Sequence, residues 1–73
     1  SYNFQNNKPV ITVNVHTESA DSFFVYKDSR LVFGAKVTKG VFSLPIREFY
    51  NGKGNLIFVL QEKSKRLSFA FPN

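Results

Sequence analysis

The sequence predicts an all-β domain, a small Greek-key sandwich of six or seven short strands. Three observations carry that prediction. Apolar and polar residues alternate through several short runs, the period of a strand with one wet face. Brief connections carrying glycine, asparagine, aspartate or serine separate the runs, and these residues tolerate turn geometry. No stretch shows the i, i+3, i+4 spacing of an amphipathic helix. Short strands joined by short turns form a sandwich or a small barrel, and the order hairpin, crossover, hairpin favours the sandwich.

Residues 1–8 are polar apart from Tyr2 and Phe4. They read as a linker or arm, with an edge strand as the alternative if those rings find a groove. Residues 9–73 make the single sandwich domain, opening at Pro9, where a missing backbone donor does little harm. Over residues 10–16, Ile11, Val13 and Val15 face one way and Thr12, Asn14 and His16 the other. After a polar turn, residues 22–27 put Phe23 and Val25 on one side and Phe24 and Tyr26 on the other. Asp28, Ser29 and Arg30 form a short turn, so the next strand, residues 31–38, pairs with its predecessor as a hairpin. Its alternation sends Leu31, Phe33, Ala35 and Val37 inward and Val32, Gly34, Lys36 and Thr38 outward.

Lys39-Gly40 is a further tight turn before a strand at residues 41–44. Pro45 ends that strand and suits a sheet edge, because proline cannot donate to a ladder. Residues 47–50 are too few for a stable helix and read as one 3₁₀ turn crossing between sheets, with Phe49 or Tyr50 plugging the core. Asn51-Gly52 and Gly54 then supply turn chemistry ahead of five unbroken apolar residues, Leu56 to Leu60. A strand apolar on both sides belongs at the centre of a sheet with both faces covered, or at a rim where it changes partners. Residues 62–65 read as a polar turn, and residues 66–71 close the domain with Leu67, Phe69 and Phe71 on one face. The strand at residues 10–15 and the one ending at Pro45 are the candidates for sheet rims, where a partner strand can add.

With 73 residues and no cysteine, the chain makes one domain and has neither disulfides nor thiolate zinc ligands. Its nine phenylalanines are the visible means of filling a small core. No apolar run approaches the ~20 residues that span a bilayer, so membrane insertion is not expected. The absence of cysteine fits cytosol and a Gram-positive cell surface equally.

Phe24-Val25-Tyr26, then Leu31 to Val37 with Gly34-Ala35-Lys36-Val37, then Lys39-Gly40, Phe42-Ser43-Leu44-Pro45 and the turn and long strand of residues 52–60 follow one another in a recognisable order. In that order the chain resembles a bacterial immunoglobulin-like (Big-type) domain of surface proteins and adhesins. The resemblance implies an immunoglobulin-like sandwich whose first strand is residues 10–15. It also implies a non-catalytic role, spacing, presenting or binding through loops or a sheet edge within a larger secreted or cell-surface bacterial protein. Its partner would be a protein or a neighbouring domain. Where many members carry an acidic turn after the long strand, this chain has Gln61-Glu62-Lys63-Ser64-Lys65, which removes a carboxylate-rich calcium site. The phenylalanine content also departs from the usual threonine- and valine-rich repeats.

Catalytic chemistry finds no constellation. His16 is the one histidine, and the acids Glu18, Asp21, Asp28, Glu48 and Glu62 are scattered singly, so neither a general acid–base pair nor a metal site is expected, and no cofactor. Gly52-Lys53-Gly54 is no phosphate loop, since a strand follows it rather than a helix. The net charge of +5 reads first as surface charge that keeps the chain soluble and blunts sheet edges. A second reading gathers Phe24, Tyr26, Phe42, Phe49 and Tyr50 into an exposed aromatic strip. With Lys27, Lys36, Lys63, Lys65 and Arg66 alongside, such a strip suits an anionic ligand. Bases or sugars stack on rings while cations meet phosphates, so single-stranded nucleic acid and cell-wall polysaccharide are the alternative partners. The candidate binding residues are therefore Phe24, Tyr26, Lys27, Lys36, Tyr50, Lys63, Lys65 and Arg66.

Overall fold

A computed structural model describes the backbone of residues 2–5 and 8–71 and the side chains of residues 11–71. Among the described residues, seven strands form two antiparallel sheets. They are β1 (Tyr2–Gln5), β2 (Lys8–Val15), β3 (Ala20–Lys27), β4 (Arg30–Lys36), β5 (Gly40–Leu44), β6 (Leu56–Glu62) and β7 (Arg66–Phe71). One sheet has the order β1-β2-β5 and the other β4-β3-β6-β7. The chain crosses between sheets after β2, after β4 and again after β5, where a single 3₁₀ turn, Ile46–Glu48, begins the passage to β6.

The alternation along β3 sets the layers. Phe23 and Val25 are buried, and they meet Ile11, Leu44, Ile46 and Leu56 in one cluster between the sheets. Phe23 sits edge-on to Phe42 of the other sheet, centroids 5.3 Å apart, and 5.7 Å from Phe58 of its own. Phe58 stacks on Phe71 at 5.3 Å, and Phe71 meets Tyr50 edge-on at 5.8 Å. A chain of rings therefore runs through the core from β5 to the loop before β6. Phe49 packs against Phe33, centroids 5.7 Å apart, so both rings of the crossing plug the core. Each aromatic pair adds about 0.5–1.5 kcal/mol beyond the area it buries, which matters in a domain without disulfides.

Two glycines of the loop before β6 have left-handed backbones, Gly52 at φ 96° and Gly54 at φ 94°. Gly54 is fixed twice over, because a Cβ there would stand 3.0 Å from Asp28 Oδ2. Asp28 in turn accepts the Asn55 amide at Oδ1 (3.2 Å) and donates its own amide to the Asn55 carbonyl (3.0 Å). The β6 approach is thereby tied to the β3–β4 turn.

Several expectations need correction. Leu31 points outward and is 53% exposed, while Val32 packs against the core. The cause is a register shift between Val25 and Tyr26, which pairs Tyr26 with Leu31 and leaves Val32 as the extra residue. Glu62 belongs to β6 rather than to the turn and is only 7% exposed, and Ser19 Oγ donates a hydrogen bond to its Oε1 at 3.0 Å. β2 is an inner strand, between β1 and β5, whereas β5 is an edge that stops before Pro45. Residues 2–5 take the edge-strand alternative and pair with β2.

Candidate binding surfaces

Cross-strand pairing places side chains on the outer face of the four-stranded sheet in rows. Lys36, Ser22, Gln61 and Arg66 form one row, since each pairs with the next across β4, β3, β6 and β7. Gly34, Phe24, Val59 and Ser68 form the next, and Leu31, Tyr26, Ile57 and Ala70 the third. The first row is polar and carries a cation at each end, about 14 Å apart at the usual strand spacing. The other two are apolar or small, and their two aromatic rings stand about 7 Å apart along β3.

Local sequence explains the platform. Gly34 lets the Phe24 ring lie over β4, since a Cβ there would come within 3.2 Å of Phe24 Cδ1. Val59 is buried yet lies outside the inter-sheet cluster, as its outward phase requires. Leu31 and Ile57, 53% and 38% exposed, flank Tyr26 on the two neighbouring strands. Leu31 reaches this face only because of the bulge, and the bulge follows a turn whose central residues Asp28 and Ser29 both have positive φ, 48° and 70°.

Of the eight candidate residues, the structure gathers Phe24, Tyr26, Lys36 and Arg66 on this face. Lys63 and Lys65 lie in the β6–β7 turn, next to Arg66 at the polar end. Lys27 ends β3 at the opposite end, where its Cε lies near Gly54. Tyr50 is at that end too, its hydroxyl donating to the Gly54 carbonyl at 3.3 Å and its ring turned to Phe71 in the core. Phe42 and Phe49 leave the aromatic strip altogether, since both pack against the core. Leu31 and Ile57 were not among the candidates. Five apolar residues in succession at Leu56–Leu60 were the available sign that β6 carries apolar side chains outward.

A separate slot of about 320 Å³ opens between the sheets, lined chiefly by Val13, Val15, Phe23, Leu60, Leu67 and Phe69. Glu62 closes one end of it. There Thr17 Oγ1 accepts the Ser19 amide at 3.1 Å, and the two hydroxyls share a 2.8 Å hydrogen bond next to the carboxylate. This hydroxyl and carboxylate network braces the β2–β3 turn against β6. His16 lines the slot but is exposed. Among the described residues, no three of His, Asp and Glu gather to hold a metal ion, and no helix is long and apolar enough to cross a membrane. Comparison with protein-family models, curated proteins and solved structures finds no match to the chain.

Proposed function

We propose that this is a non-catalytic immunoglobulin-like module of a larger, secreted or cell-surface bacterial protein, and that it docks a protein partner or neighbouring domain on the outer face of its four-stranded sheet. The strand order supports the immunoglobulin-like reading, with β2 paired to β5 in one sheet and β3 to β6 and β6 to β7 in the other. The observation that carries the docking role is the pair of apolar rows, with Leu31 and Ile57 exposed around Tyr26. A spacer would show polar residues there, because an antiparallel sheet with one wet face alternates apolar-in and polar-out. An apolar patch with a polar margin is instead the composition of an interface, with apolar centre and charged rim.

Photo-crosslinking tests this reading in the protein as its host makes it. A photoreactive residue at position 57 should give a discrete protein adduct, and the same residue at exposed Lys39 should not. Equal labelling from both positions, or none from 57, would refute it.

A second reading has its own support, since Phe24 and Tyr26 adjoin a row with Lys36 and Arg66 at its ends. That arrangement suits an anionic ligand stacked on rings, either single-stranded nucleic acid or an acidic wall glycan. Titration of isotope-labelled protein with mixed oligonucleotides and wall glycans at two salt concentrations distinguishes the two readings. Salt-sensitive shifts centred on Tyr26 and Lys36 favour the anion. Silence up to millimolar ligand leaves the protein partner.

A further inference from the structure

The slot between β2 and β7 has features that the outer face does not explain. Phe69 has the phase of an inner-face residue, pairing with Phe58 across β6 and β7, yet it is 54% exposed. Leu67, two residues earlier on the same face, is only half-buried. Both line the slot, so the sandwich is open at this point instead of closed.

Among the described residues, the edges beside the opening are also free. β5 pairs with β2 from Ile11 to Val15 along one edge. On the other edge, pairing with β1 reaches only Ile11, so among the described residues no strand lies beside Asn14 and Val15 there. Among the described residues, β7 pairs with β6 alone. Backbone donors and acceptors of an unpaired strand edge are a template for another strand.

We propose that this slot accepts an extended segment of a partner protein, added antiparallel to β2, with apolar side chains at alternate positions entering the space above Leu67 and Phe69. The proposal is independent of the outer face and stands whether or not that face docks anything. A strand fits better than a compact small molecule, because the volume is near the lower limit of ligand pockets and lies along a free strand edge. The period of two satisfies edge and slot at once, giving backbone bonds to β2 and one side chain in two to the apolar floor.

Charge fixes the partner's chemistry and direction. Lys63 and Lys65 stand in the turn before β7, at the end of the slot where Glu62 lies, and neither is in an ion pair among the described residues, while Arg66 belongs to the outer face. Of the acids at this end, Glu62 is buried and occupied by Ser19, Glu18 is paired with Lys39, and Asp21 lies on β3, two strands away from β7. β2 runs toward this end, so an antiparallel strand passes it with its own N-terminal residues. The partner segment is therefore acidic at its N-terminal end and alternately apolar after it.

The test is a titration of isotope-labelled protein with a short, end-blocked peptide that has an acidic head followed by isoleucines alternating with threonines. Shifts should concentrate at Val13, Asn14, Val15, Leu67 and Phe69, and of the Asn14 and Val15 amides the one turned away from β5 should gain protection from exchange. A peptide with lysines for the acidic head should bind about tenfold more weakly at low salt, with the difference shrinking as salt rises. Phe69→Ser should remove binding while leaving the spectrum folded, because that ring is already more than half exposed. Equal binding of a scrambled peptide whose isoleucines are consecutive would overturn the proposal, as would shifts confined to Phe24, Tyr26 and Ile57 or no shift at millimolar peptide. Slot shifts that depend on protein concentration alone would assign it to a second copy. Protection of that same amide without peptide in a longer form of the protein would assign it to that protein's own chain. Either result overturns the proposal.

Discussion

The two faces of the four-stranded sheet are built from the same strands and both carry aromatic rings, yet they are organised differently. On the inner face Phe23 meets Phe42 and Phe58, and Phe58 meets Phe71, each pair with centroids under 6 Å. On the outer face Phe24 lies over a glycine, and Tyr26 stands between Leu31 and Ile57. Adjacent residues of β3 thus divide into a ring locked by other rings and a ring on a platform. The inner face holds more rings, but what separates core from surface is the presence of an opposing sheet, since Phe69 has the inner phase and is still 54% exposed.

The sharpest way to break this contrast is to truncate neighbouring rings. Phe23→Ala should cost about 3–5 kcal/mol, a large part of the ~4–11 kcal/mol expected for a domain of this size, and denaturant unfolding measures it. Phe24→Ala should cost less than about 2 kcal/mol in the same experiment. Equal costs would mean that the outer ring belongs to a second core. Gly54→Ala comes next at about 1–3 kcal/mol, because the new Cβ meets a left-handed backbone and the Asp28 carboxylate together. The loss should appear with faster amide exchange at Asn55 and Asp28, whose mutual hydrogen bonds it strains.

Glu62→Ala should cost about 1–3 kcal/mol by removing the acceptor of the Ser19 hydroxyl, and it should loosen the β2–β3 turn while leaving the outer face unchanged. The smallest effect is a gain. Ser29→Gly should stabilise by about 0.5–1 kcal/mol, since Ser29 sits at φ 70° in the two-residue turn joining Lys27 to Arg30. Thermal unfolding reads it, and Leu31 should keep its outward position in the variant.

Much of the fold was legible because it rests on local signals. Ile11 and Val13, and Phe23 and Val25, turn toward the other sheet as their alternation requires. Gly52 and Gly54 take the left-handed backbone that turn chemistry implies. The departures all depend on pairing. Leu31 and Val32 exchange roles through a bulge set by the register of β3 against β4, and no residue in the run announces that shift. Glu62 looked like a turn residue because its sequence neighbours are polar, while its burial depends on Ser19, far away in sequence. The candidate site was half legible. Phe24, Tyr26, Lys36 and Arg66 share a face, but Lys27 and Tyr50 lie at the far end, because only strand order decides which cations stand beside which rings.

The account rests on the outer apolar rows serving contact rather than stability, and the double variant Leu31→Thr/Ile57→Thr tests this most directly. Threonine keeps the strand preference while removing apolar surface. Denaturant unfolding should show a loss of less than about 2 kcal/mol with an unchanged slope, well below that of Phe23→Ala. A loss equal to or greater than that of Phe23→Ala would contradict the account, because the outer face would then be a second core.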